Sequence, residues 1–236
     1  MERRAKSPIK RTPVKRPVKN MAKNEISPSD FKKHVMESYS KVSRNEDEKM
    51  MSSIMDLIIS SGSWGEKSLD SFLEKVVLIM QRELSFREVS IGLKDKSDGK
   101  YRNRIVKGHS EEATAALFKV EYSHDDMFDD VKFPAIQFGR KIIELSSVAE
   151  HELEEWKTHT YPALIKRPRK SIDTMTEADY FHAYLFGGNQ ELVGFMEFSK
   201  WRNWALPPRR IIKVVELLST IVGQILWQKE YAPNSR

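Results

Sequence analysis

Residues 180–200 read YFHAYLFGGNQELVGFMEFSK, and no other stretch limits the fold as tightly. Aromatic and aliphatic residues alternate on either side of Gly187-Gly188-Asn189-Gln190, which is the pattern of two antiparallel strands joined by a tight turn. A turn centred on Gly188-Asn189 sets Phe186 opposite Glu191 and Ala183 opposite Gly194. One face then carries Phe181, Ala183, Leu185, Leu192, Gly194, Met196 and Phe198, all apolar and suited to a dry contact with helices. The other carries Tyr180, His182, Tyr184, Glu191, Val193, Phe195 and Glu197. That face is aromatic with polar handles, which suits orientation of a small molecule, so Tyr180, His182, Tyr184, Phe195 and Glu197 are the pocket candidates. The alternative is an ordinary solvated or loop-covered sheet face.

The chain around this hairpin has 236 residues, 39% of them hydrophobic and 31% charged, enough for a full core in a soluble fold. It has no run of about 18 apolar residues and no apolar export signal, so a cytoplasmic location is expected. The complete absence of cysteine excludes disulfides, thiolate catalysis, thiolate-ligated haem, cysteine-linked bilins and cysteine-based zinc sites. His109, His124, His151, His159 and His182 are scattered without helical spacing, so no metal site is expected. The acidic run Asp125 to Asp130 lacks the spaced ligands and central glycine of a calcium loop and is expected to be solvated. With no glycine-rich phosphate cradle, no Gly-x-Ser-x-Gly elbow and no pairing of nucleophile with base, no enzymatic activity is expected.

Charge divides the chain. Residues 1–24 hold nine Lys or Arg against Glu2, which leaves the rest close to neutral. Pro-Ile-Lys and Pro-Val-Lys units recur at Pro8, Pro13 and Pro17 with little to bury, so residues 1–26 are expected to be a disordered basic tail. Ser7-Pro and Thr12-Pro also fit proline-directed phosphorylation, and Met21 offers an alternative start. Arg3, Arg4, Lys6, Lys10, Arg11, Lys15, Arg16 and Lys19 are the candidates for binding nucleic acid or an acidic partner; a solubilising tail is the plainer reading. Residues 27–45 are expected to be a helix or linker, residues 46–230 the folded domain, and residues 231–236 a flexible end.

Within the domain, Asn45 caps a helix from Glu46 to Ser60 whose apolar side is Met50, Met51, Ile54, Leu57 and Ile58. Leu69, Phe72, Leu73, Val76, Val77, Met80 and Leu84 form a second helical stripe. Val89 to Lys94 and Arg102 to Lys107 read as a hairpin about Ser-Asp-Gly, with weaker strands at Leu117 to Tyr122 and Lys141 to Leu145. Glu150 to Thr158 reads as a short helix and Lys166 to Lys170 as an exposed loop. Pro207-Pro208 opens a long helix, Arg209 to Lys229, apolar on more than one side and therefore needing two neighbours. The class is α+β.

The helix Leu69 to Leu84 running into Val89-Ser-Ile-Gly-Leu, the hairpin closed by Leu192-Val-Gly-Phe-Met-Glu-Phe, and the helix after Pro208 together resemble a GAF domain over roughly residues 46–229. The resemblance implies an antiparallel sheet of about six strands, a helical bundle on one face, a ligand pocket on the other, and a sensory, non-catalytic role, commonly as a homodimer through the terminal helices. It leaves cofactor and ligand unknown, because the bilin cysteine and the residues of cyclic-nucleotide-binding members are absent. A scaffold working through its basic tail is the alternative.

Overall fold

The computed structural model describes residues 46–62, 68–138, 143–147, 171 and 173–232, all within one compact unit spanning Arg44–Arg236. The expectations for residues 1–45, for the helix at 150–158 and for the loop at 166–170 lie outside the described residues.

Seven strands form one sheet: β1 (Phe86–Lys94), β2 (Tyr101–Lys107), β3 (Glu121–Tyr122), β4 (Ala135–Phe138), β5 (Ile143–Ser147), β6 (Asp179–Phe186) and β7 (Leu192–Trp201). Their order is β3-β2-β1-β7-β6-β5-β4, and every neighbouring pair is antiparallel. The strand beyond those expected is β4, and the expected strand Leu117 to Tyr122 shrinks to the two-residue β3. Closing β1 against β7 joins segments more than a hundred residues apart and places the 180–200 hairpin at the centre of the sheet.

Among the described residues, four α-helices accompany the sheet: α1 (Glu46–Ser61), α2 (Ser68–Leu78), α3 (Glu111–Leu117) and α4 (Arg209–Leu226). The spacing in α2 works as expected, since Phe72, Leu73, Val76, Val77, Met80 and Leu84 are all buried. The helix widens into a π turn over Ile79–Glu83, where the Leu84 amide donates to the Ile79 carbonyl at 3.0 Å. On α1 only Met50, Ile54 and Leu57 are buried, a narrower stripe than expected; Met51, Met55, Ile58 and Ile59 are exposed, Ile59 by 72%. The main core joins α1, α2 and α4 to one face of the sheet through Val89, Ile91, Phe181, Leu185, Met196 and Phe198.

α4 is long and apolar because it lies on β6. Ile211, Val215, Leu218, Val222 and Ile225 are buried, and Ile212, Ile221 and Trp227 pack beside them, while Leu217 faces outward. Contact is closest at Gly223, where an added Cβ would lie 2.5 Å from the Phe186 carbonyl oxygen. One turn on, Trp227 covers the hairpin turn, and a Cβ at Gly187 would meet its side chain at 2.3 Å. The helix continues through a π turn to Tyr231, whose hydroxyl donates to the Lys94 carbonyl at 2.6 Å. Tyr231, expected to begin a flexible end, is therefore anchored.

The hairpin register differs from the expected one by two residues. Ala183 pairs with Met196 and Leu185 with Gly194, so residue faces are conserved up to a bulge beyond Leu185, where Phe186 pairs with Leu192. The turn is longer than the sequence suggested, with Asn189 and Gln190 both at positive φ. The bulge exchanges Leu192 and Val193: Val193 joins the helical core, and Leu192 packs with Tyr101, Met127, Tyr184 and Phe195 on the opposite face. Glu191 leaves that face as well and pairs with Lys94 at 2.9 Å in solvent.

Residues 111–117, just ahead of the expected strand at Leu117, fold as α3. Ser110 caps it by accepting from the Ala113 amide at 3.2 Å, and Glu111 and Glu112 occupy its first turn.

Candidate ligand-binding site

The sheet face away from the main core carries a polar row that crosses five strands. Register aligns Ser90 of β1 with Glu197 of β7, Glu197 with His182 of β6, His182 with Glu144 of β5, and Glu144 with Gln137 of β4. Ser90 Oγ lies 3.4 Å from Glu197 Oε2, and His182 Nδ1 lies 3.5 Å from Glu197 Oε1. Gln137 Nε2 donates to Glu144 Oε1 at 2.8 Å. Glu144 is 7% exposed, although it stands in a strand at the outer half of the sheet.

Phe195 supports this row from within the sheet. Its ring stacks under the His182 imidazole at 5.3 Å, and it fits only because residue 92 is glycine, where a Cβ would meet the ring at 2.2 Å. Tyr184 stands beside His182 at 4.7 Å between ring centres and is itself covered by the stacked ring of Phe128 at 5.2 Å.

Phe128 belongs to the acidic run, which is not the free solvated loop expected. Asp126 folds it back: its Oδ2 accepts from the Ser123 amide at 2.8 Å and the Ser123 hydroxyl at 2.7 Å, and its Oδ1 accepts from Lys132 Nζ at 2.6 Å. Asp129 Oδ1 accepts from the amides of Val131 and Lys132 at 3.0 and 2.9 Å. Met127 is buried against the sheet, and its carbonyl lies 2.7 Å from the Tyr184 hydroxyl. The run thus forms a lid over the polar row.

Between lid and sheet is a cavity of about 40 Å³, walled by Tyr180, His182, Tyr184, Glu144 and Glu197 from the sheet and by Asp126 to Asp130 from the lid. Such a volume holds an ion or a few waters, whereas a drug-sized ligand needs roughly 300 Å³ or more. A larger ligand would have to enter by displacing the lid. Of the five pocket candidates, Tyr180, His182, Tyr184 and Glu197 reach the cavity; Phe195 is fully buried beneath it. Glu144, Ser146, Tyr122, Phe128, Phe133 and the lid carboxylates join the wall without having been singled out in the sequence. The polyanion candidates of the tail lie outside the described residues.

The electrostatics follow from burial and charge. Burial, with Glu144 beside it, holds the Tyr184 phenol far above the ordinary tyrosine range, and burial pushes Tyr101 up to about 12. Lys132, then Ser123, draw the Asp126 carboxyl down to about 2. Since its folded value is depressed, Asp126 contributes stability that is complete above the ordinary 3.8 and is lost as pH falls through about 2. Asp126→Asn is therefore expected to lower the thermal midpoint at neutral pH, and the gap to the parent protein should close between about pH 4 and pH 2. A pH-independent gap would remove the lid ion pair from the stability of the fold.

An antiparallel sheet with a helical core on one face and a lidded, polar-aromatic cavity on the other defines an α+β module, and the fold is GAF-like. The GAF domain/HD domain protein from Geobacter sulfurreducens superposes with a TM-score of 0.50 at 7% identity, over 72% of this chain and 100% of that one. The GAF domain of A. aeolicus nlh2 in an inactive state gives 0.48 at 11% identity, over 79% and 100% of the two chains. No protein-family model matches the sequence, and no curated protein matches it.

Proposed function

We propose that this chain is a non-catalytic regulatory module that receives a small molecule in the cavity beneath the lid and transmits occupancy through its helical face. The observation that carries the reading is the polar row Ser90-Glu197-His182-Glu144-Gln137, whose middle members Glu197, His182 and Glu144 are sheltered under a lid on the sheet face opposite the main core, with Gln137 at its exposed end. A solvated face would not cover a row of this kind, since burying polar groups is costly unless each finds a partner.

The route outward runs along β6. Tyr184 and His182 touch the cavity from the strand whose far face carries α4, and the glycines at 187, 188 and 223 set the distance between strand and helix. A ligand that moves the lid and Tyr184 bears on this contact. The receiving surface is a second copy of the chain, seated on Met51, Met55 and Ile59 of α1 and Leu217 of α4, four large apolar side chains left exposed on the helical layer. Native mass spectrometry of the purified chain tests both parts. A mass near twice 27.5 kDa, with a small adduct released on activation, is the expected result. A bare monomer at micromolar concentration would refute the pocket and the dimer together.

A further inference from the structure

Hydrogen-bond supply and demand inside the cavity point to the chemistry of the ligand. The Tyr184 hydroxyl has one proton and two acceptors, the Met127 carbonyl at 2.7 Å and Glu144 Oε2 at 2.9 Å, so one of the two is always left short. Glu144, almost completely buried, is held by neutral donors, Gln137 and Tyr184. His182 turns Nδ1 toward the Glu197 carboxylate, 3.5 Å from Oε1. Its Nε2 is buried and has no hydrogen-bond partner, while its ring lies in the cavity wall. Glu144 Oε2 and the Met127 carbonyl oxygen therefore compete for a single proton. Buried acceptors in this state cost stability until a donor arrives.

A ligand that answers them donates several hydrogen bonds and accepts none. The charge of the site selects further: Glu144, Glu197, Asp126, Asp129 and Asp130 line the cavity, and Lys132 is engaged by Asp126. The rings of Tyr184, Tyr180 and Phe128 add π faces, which attract cations. We propose that the cavity binds the ammonium head of a small organic amine, with the rest of the molecule leaving through the lid side. A volume of about 40 Å³ suits a head group of that size. This rests on the small-molecule-receiving reading above and adds the class of ligand to it.

The test is calorimetric titration of the full chain with n-butylammonium chloride, 1-butanol and sodium butanoate at matched ionic strength, beside Glu144→Gln. Butylammonium alone is expected to bind, and Glu144→Gln is expected to weaken it roughly tenfold to a hundredfold, the range for losing a charged hydrogen-bond partner. Should Glu144→Gln fold poorly, nitrogen NMR of the His182 ring in the parent protein decides instead. The Nε2 resonance should shift as butylammonium is added. Binding of butanoate or butanol as tightly as the amine, or an Nε2 resonance indifferent to the amine, would overturn the cationic class and leave the pocket reading standing. A cavity that takes up water only, with no heat from any of the three, overturns the amine assignment; an accompanying absence of any adduct in native mass spectra would remove the pocket reading as well.

Discussion

Phe198→Ala is expected to destabilise the fold by about 3 to 5 kcal/mol, the usual cost of truncating a buried phenylalanine. Phe198 is 1% exposed, stacks on Phe181 with ring centres 5.4 Å apart, and meets Phe86 edge-on at 4.7 Å. The three rings come from β7, β6 and β1, so their contact joins the strands that close the centre of the sheet. The space left behind is walled by other rings and by helices on a rigid sheet, which limits collapse and keeps the penalty high. Against a total stability of roughly 5 to 15 kcal/mol, such a loss brings the domain near its folding threshold. Urea unfolding of the two proteins measures it, and a difference under about 1 kcal/mol would show that the ring cluster does not anchor the core.

The second large effect is electrostatic. Lys200 is the penultimate residue of β7, with its side chain 15% exposed, 2.5 Å from Glu88 Oε1 and 2.7 Å from Glu177 Oε1, both carboxylates being similarly sheltered. Ser199 Oγ donates to the other oxygen of Glu88 at 2.7 Å, and the ammonium lies 5.1 Å from the Trp204 ring centre. Removing the lysine leaves two sheltered carboxylates facing one another without their shared cation. Lys200→Met is expected to cost about 3 to 5 kcal/mol, the range for breaking a buried pair from one side. The loss comes from the charges left behind, so adding Glu88→Gln and Glu177→Gln to Lys200→Met should restore most of it. If the triple variant is as unstable as the single one, packing of the lysine stem carries the effect and the ion cluster does not.

Much of the architecture was legible because it is written in local periodicity. The stripe from Leu69 to Leu84 could only be a helix with a buried side, and the alternation of Tyr180 to Phe186 could only be a strand with a dry face. Face assignment survived even a register error of two residues, since a shift of two preserves which side each residue points to. The bulge at Phe186 was not legible. It depends on Gly187 and Gly188 lying under Trp227, a contact between segments about forty residues apart. The capped helix at Glu111 carries a sequence signal in Ser110-Glu-Glu, but its seven residues are too few for periodicity to declare itself.

The candidate site divides along the same line. Composition and alternation by themselves determined that the hairpin has an aromatic face with polar handles, that no cysteine chemistry takes place here, and that the terminal helix needs a covered apolar side. Only the tertiary structure decided that Glu144 and Gln137 complete the row with His182 and Glu197, because strand order and register bring together positions that sequence distance keeps apart. Only it decided that the acidic run is a lid. The carboxylates of Asp126 and Asp129 take up backbone amides of their own loop, which turns Met127 and Phe128 down onto the sheet, and a chain read residue by residue gives no warning that charges can bury their neighbours in this way.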